Sequence, residues 1–301
     1  MEEARSRSKR RRLVILLAIL FSLVFCVGGL MLPGKKLPVI SMAAERIPLH
    51  LPFPGFEEGI PNTLPTAILA TLTLTLLGLA YYRAQRRAAR TGQESRFLIA
   101  VDAVFEGMYS FVENVAGEHL TPVFFPLVAS FFFFILTANW MGLIPGVGSV
   151  GVWGEHHGET VLIPLFRSAN ADLNTTLGLA VVSVIATQYF GFKLQGRHYL
   201  RKFLNFTAPP DSGKLKPVLV IANGFVGILE MISEVIKIFS FAFRLFGNIF
   251  AGEVLLVVVS FLAAFVATIP FMGLELFVGL IQALIFSMLS LIFFTMAAHH
   301  H

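Results

Sequence analysis

The sequence predicts an all-α integral membrane protein. It has five to six membrane-crossing helices, the long tilted penultimate and final ones forming a hairpin, and one amphipathic surface helix. Three observations predict it. Of 301 residues, 56% are hydrophobic and 14% charged, with a mean hydropathy of +0.77, far from the balance of a soluble domain. The charges lie between apolar runs of about 20 residues or more, the length that crosses about 30 Å of hydrocarbon. One such run carries Glu230, Glu234, Lys237, Arg244 and Glu253 inside it. Ionisable side chains there are costly and normally face a protein interface or a water-filled path.

Taken in order, residues 1–12 form a basic tail before an apolar run at 13–32. That run reads as a retained anchor or a cleaved signal with Ser41–Ala44 as the cleavage region. The anchor is favoured, because the run is long for a signal and the small-residue site lies far from it. A Pro- and Gly-rich extracytoplasmic loop follows. Residues 1–62 are thus a separate N-terminal region, and 63–301 a single transmembrane domain. Its first span, Asn62–Tyr82, closes on Tyr81, Tyr82, Arg83, Arg86, Arg87 and Arg90, an aromatic and basic terminus. From Arg96 to His119, the residues Phe97, Val101, Val104, Phe105, Met108, Phe111, Val112 and Val115 share one helical face. An amphipathic helix results, lying on the membrane surface or against a partner, and its acidic polar face favours the partner.

Leu120–Ile144 is the next span. The following loop carries Glu155, His156, His157 and Glu159; a solvated Gly-rich loop is the expectation there rather than a metal site. Asn170–Phe192 crosses again, opening on Asn170, Asp172, Asn174 and Thr175, which either cap the helix or line an aqueous mouth. Pro217–Phe261 is apolar for about 68 Å of helix, twice the hydrocarbon thickness. It must be strongly tilted or broken near Asn223–Gly224. A turn at Thr268–Pro270 leads to the last span, Phe271–Met296. The basic residues concentrate in the tail, in Arg83–Arg96 and in Lys193–Lys216, which puts both termini in the cytoplasm. The net charge of +5 follows from this distribution and does not call for nucleic acid. Cys26 is the only cysteine and excludes an intrachain disulfide.

At about 100° per residue, Glu230, Lys237 and Arg244 fall within roughly 40° of one another, while Glu253 lies about 180° from Arg244. Lys237 is spaced to pair with Glu230 or Glu234; Arg244 has no acid three or four residues away. Along the axis Glu253 is about 13 Å from Arg244 toward the outside and Glu230 about 21 Å toward the cytoplasm. Glu275 and Gln282, seven apart on one face of the last helix, reach the same outer level as Glu253.

The segment FRLFGNIFAGE (Phe243–Glu253), the run LIQALIFSMLSLIFF (Leu280–Phe294), FILTANWMGLIPG (Phe134–Gly146) and SANADLNTTLGLA (Ser168–Ala180) together resemble subunit a of bacterial-type rotary F-type ATP synthases. The resemblance spans about the last 180 residues in family order. It implies a proton-translocating stator subunit at the cell inner (plasma) membrane, with two offset aqueous half-channels and an essential arginine, Arg244, facing the c-ring. Asn248, Glu253 and Gln282 match the family's channel positions, and with Glu275 would form the outer half-channel. Glu275 stands where some members have histidine. Glu230, Ser233, Glu234, Lys237 and Ser240 would line the cytoplasmic half-channel or serve as structural polar groups. Asn139, Asp172 and Asn174 match less discriminating motifs. The implied partners are the c-ring, the subunit b stator stalk, the remaining synthase subunits and the lipid bilayer, with the 217–297 hairpin as the translocating element. No cofactor, metal or nucleic acid is expected. The chain would be non-catalytic by itself, having no GxxxxGK[ST] phosphate loop. The alternative is a secondary transporter or ion channel with buried charges, a class that often carries internal repeats; none is evident.

Overall fold

A computed structural model describes residues 44–47, 59–93, 95–144, 150–156, 159–203 and 216–298. Among them, five helical segments are long and apolar enough to cross a membrane. The expected crossing at 13–32 lies outside the described residues.

A two-stranded bridge, β1 (Arg46–Ile47) against β2 (Ile60–Pro61), precedes helix α1 (Thr63–Thr91). Only the first turns of α1 pack inward, through Thr63, Thr66 and Ala70. Leu69, Leu72, Leu76 and Leu79 remain exposed, as suits a helix at the rim of a membrane bundle. It stops at Gly92, whose φ of 66° admits the left-handed cap. Ser95 caps α2 (Arg96–Ala116) by accepting the Leu98 N–H at 3.2 Å.

The inward face of α2 departs from the expected one. Leu98, Val112 and Ala116 are buried, and Phe105 meets the rings of Tyr81, Phe125 and Phe133. Phe97, Val104, Phe111 and Val115 are exposed. Asp102, expected on the polar face, turns inward to accept the Tyr81 hydroxyl at 2.6 Å. The rest of the apolar stripe of α2 faces away from the described chain, as expected of a helix that meets the membrane or a partner.

The core is built by α3 (Thr121–Gly142), α4 (Leu173–Gln195) and the C-terminal half of α5 (Lys216–Ala298). Phe124, Val128, Phe131, Ile135 and Ala138 recur at three- and four-residue spacing on α3, as do Ala283, Ser287, Ser290, Phe294 and Ala297 on α5. Such alternation makes a straight seam. Small residues let backbones approach, and van der Waals packing then holds membrane helices that lipid would solvate equally well. At the seam the Ser183 and Ser290 hydroxyls lie 2.7 Å apart. Phe124, Phe190 and Phe294 meet at 4.9, 5.1 and 5.7 Å between centroids; such pairs contribute about 0.5–1.5 kcal/mol each beyond burial.

Helix α5 is helical from end to end yet folds back on itself. The pairs Lys237–Phe293, Phe241–Phe286, Asn248–Gln282 and Ser260–Thr268 run antiparallel. It is therefore a long arm, Val220–Leu262, and a return arm, Thr268–Ala298. The expected hairpin is present, with two corrections. Pro270 sits inside the first turn of the return arm rather than in the connection, where its missing N–H costs nothing. Helix also continues through Asn223 and Gly224 without a break.

The Gly-rich loop expected after α3 is instead an antiparallel ladder of β3 (Gly151–His156) and β4 (Glu159–Pro164), with Gly151 opposite Pro164 and His156 opposite Glu159. His157 lies outside the described residues. The 3₁₀ turn Ala169–Ala171 then leads into α4. Asp172 caps α4, accepting Asn174 N–H at 2.9 Å, so of its two expected roles the structure takes capping. Its other oxygen accepts the Thr63 hydroxyl at 2.9 Å.

Candidate functional site in the helical hairpin

The long arm presents two different sides. Phe241, Ala242, Leu245, Phe246 and Ile249 are buried. Ile236, Ser240, Phe243, Arg244, Asn248 and Ala251 are exposed on the single chain. Arg244 makes no hydrogen bond or ion pair with any described residue. Around it Ser240, Gly247 and Ala251 are small, and no heavy atom stands within 4 Å of where a Gly247 side chain would begin. Four residues on, the Asn248 amide donates to Gln282 Oε1 at 2.8 Å across the hairpin. Gln282 is 2% exposed, and its own amide nitrogen has no protein partner among the described residues.

One turn beyond Asn248 the polar groups continue on the other side of the arm. Glu275, 6% exposed, packs its carboxylate against Gly252, where a Cβ would collide with it. Its carboxylate thus sits against the residue that immediately precedes Glu253. Helical geometry explains the arrangement, since Glu253 is about half a circle from Arg244. Of the residues expected on the outer side of Arg244, Asn248 is thus joined to Gln282 across the hairpin, and Glu275 is brought against Gly252 beside Glu253.

Glu253 also meets Arg167, a residue that the sequence did not single out for the site. Arg167 Nη2 lies 2.8 Å from Glu253 Oε2, and Arg167 Nε donates to both carboxylate oxygens at 3.1 and 2.9 Å. Arg167 is 8% exposed and stands 5.8 Å from the Phe250 ring centroid. Its backbone N–H donates to Asn62 O at 3.3 Å. The available signal was position: an arginine two residues before a polar helix start, in a segment otherwise apolar since Val161.

Behind this pair lies a buried polar cluster. Asn139 donates to Gly279 O at 3.1 Å on the return arm and accepts from Asn170 at 2.7 Å. Asn62 and Asn170 are fully buried, and both side-chain atoms of Asn62 with Oδ1 of Asn170 lack protein partners among the described residues. Such atoms are ordinarily satisfied by bound water.

Toward the other end of the arm the polar groups are structural in character. Lys237 Nζ sits 2.8 Å from Glu234 Oε1 and 4.5 Å from the Phe293 ring centroid. Of the two acids within reach by spacing, Lys237 therefore pairs with Glu234, which is 7% exposed. Ser233 donates to Leu229 O on its own helix, and Ser240 is exposed beside Arg244. Glu230 is half-buried. No group of three His, Cys, Asp or Glu side chains fit to hold a metal occurs among the described residues.

The fold and this grouping define a polytopic helical membrane protein whose charges are gathered on a helical hairpin, the build of an ion-translocating protein. Residues 65–295 match the family model described as ATP synthase A chain, and the chain belongs to that family. Among curated proteins, ATP synthase subunit a of Syntrophobacter fumaroxidans is 34% identical over 266 residues, covering 87% of this chain and 96% of the relative. That of Desulforamulus reducens is 30% identical, covering 85% and 88%. That of Mycobacterium marinum is 28% identical, covering 81% and 88%. With five apolar helices and these relatives, the chain is a bacterial membrane protein.

Proposed function

We propose that this chain is the proton-translocating stator subunit of an ATP synthase membrane sector, coupling ion flow to rotation of a ring of c subunits. The observation that carries the reading is Arg244. It is a permanent cation on an apolar, lipid-length helix, exposed, without an acid of its own chain among the described residues. A charge of this kind at lipid depth needs a counter-charge. The strip of Ser240, Gly247 and Ala251 around it lets another helix approach closely. A carboxylate carried on that helix would supply what Arg244 lacks.

The mechanism follows from electrostatics. At about 4 Å and an effective dielectric of about 20, a guanidinium stabilises a carboxylate by about 4 kcal/mol, a factor of roughly a thousand in its protonation equilibrium. A ring carboxylate reaching Arg244 releases its proton there, and takes one up from the other half-channel before it moves on into the lipid. The same positive charge hinders protons from passing straight along the arm. Asn248, Gln282, Glu275 and Glu253 form the outer access path, with Asn139, Asp172 and Asn174 framing it as structural supports. Glu230, Ser233 and Ser240 flank the cytoplasmic path, and the Glu234–Lys237 pair braces the hairpin beside it. On this reading the C-terminus is cytoplasmic, because Arg83, Arg86, Arg87 and Arg90 of α1 and Lys193 of α4 lie at the end opposite Arg167; a retained crossing at 13–32 puts the N-terminus on the same side. The exposed stripe on α2 and the outer face of α1 suit the stator stalk, subunit b.

The test is Arg244→Ala in the assembled complex. ATP-driven proton pumping is expected to vanish while the complex still assembles; normal pumping would remove the role. Co-purification with a small two-helix ring protein separates this reading from a transporter, which would instead take up solute alone.

A further inference from the structure

Arg167 has no part in the mechanism so far, yet it is the most deeply buried arginine among the described residues and holds Glu253 through three short contacts. Its backbone is fixed to the start of α1 through Asn62, and its guanidinium rests near Phe250 one turn before Glu253. The extended segment after β4 thereby closes over the long arm.

The two outer carboxylates consequently differ. Protonating Glu253 breaks charge-assisted hydrogen bonds to both of its oxygens, which are about twice as strong as neutral ones. It also takes the negative charge of Glu253 away from a nearly buried guanidinium, which is costly. Glu275 makes no hydrogen bond or ion pair with any described residue. It gains and loses a proton without breaking such a contact. Glu275 is also the more buried of the two, Glu253 being half-buried.

Building on the reading of Arg244 above, we propose that Arg167 is a positioning residue that anchors Glu253 as a fixed negative charge, leaving Glu275 as the proton-exchanging carboxylate of the outer path. Arg167 touches neither ring nor proton and acts through Glu253. The anchored charge follows Gly252, against which the Glu275 carboxylate packs, and Glu275 passes its proton on toward Gln282 and Asn248. The arrangement also ties the outer loop to the hairpin, so the distance between the two acids is set by a contact 86 residues apart in sequence.

The experiment measures ATP-driven pumping against pH in membrane vesicles holding the whole complex, with complex yield recorded for each variant. Arg167→Gln is expected to reduce pumping about tenfold, which is about 1.4 kcal/mol, and to displace the pH profile. Arg167→Lys should restore most of the rate and the original profile. The double variant Arg167→Gln with Glu253→Gln, having no charge to leave unpaired, should pump faster than either single variant. Glu275→Gln should stay defective in every background. A wild-type rate and profile in assembled Arg167→Gln overturns the proposal, as does a double variant no better than its worse parent. Where Arg167→Gln alone fails to assemble, the double variant decides by the same criterion. Should these results go against Arg167 while Arg244→Ala still abolishes pumping, only the anchor falls; if Arg244→Ala pumps normally, the rotary reading itself falls.

Discussion

Gly252 tests the placement of Glu275 without altering any charge. A side chain begun at Gly252 would meet only the far end of Glu275, its carboxylate, rather than backbone. Carbon needs about 3.5 Å of separation from those atoms, so Gly252→Ala must push the carboxylate away by roughly 1.5 Å. The chain can absorb this by rotating one flexible side chain, and alanine favours helix over glycine by about 0.8–1.0 kcal/mol. Stability should therefore be unchanged or slightly higher. Function should not be, because a misplacement of about 1 Å in a proton-handling group can lower a rate about a hundredfold. The expected result is a complex of normal yield and normal melting temperature whose ATP-driven pumping falls by about ten- to a hundredfold. Pumping at the wild-type rate, with the complex intact, would mean that Glu275 does not lie on the path. Loss of assembly would refute the packing argument instead. Gly227→Ala is the control, because its Cβ would collide with the backbone carbonyl of Phe203, which cannot swing aside. That variant should lose stability by about 1–3 kcal/mol.

Other outcomes follow from the same geometry. Gly247→Leu meets nothing within its own chain, so the isolated subunit should fold normally while pumping by the complex collapses; full pumping would show that no neighbour approaches Arg244 there. Lys237→Ala removes the ion-pair partner of Glu234, whose side chain is 9% exposed, and should cost about 2–3 kcal/mol, somewhat below the cost of breaking a fully buried pair. Thermal unfolding of the purified complex measures it, and Glu234→Gln in the same background should recover most of the loss. A double-mutant cycle with Ser183→Ala and Ser290→Ala should give a coupling of about 0.6 kcal/mol, the usual size between membrane helices. A coupling near zero would mean that the two hydroxyls do not bond.

Much of the bundle was legible in the chain because the signals are local. Apolar length alone marks a span. Three- and four-residue spacing alone puts Glu253 opposite Arg244, and the seven-residue step puts Glu275 and Gln282 on one face. Less legible were features set by what a segment meets. The inward placement of Asp102 goes with its contact to the Tyr81 hydroxyl, which no apolar periodicity contains. The β3–β4 ladder has glycine at Gly151 and Gly154, residues that weaken a strand taken alone and pair only with a partner strand at hand. The hairpin connection falls before Pro270, because proline is compatible with the first turn of a helix and need not mark a loop.

The sequence by itself determined the class of protein, its crossings, and the presence of a lone arginine on one side of a helix with acids on the other. These follow from hydropathy and from rotation per residue, which act within one segment. Only the tertiary structure decided which acid is already held and which is not. Arg167 reaches Glu253 because the chain after β4 closes over the long arm, and Glu275 fills the gap at Gly252 because the return arm packs there. Both contacts depend on how separate helices are turned and closed against each other, a relation between segments that no single stretch of residues contains.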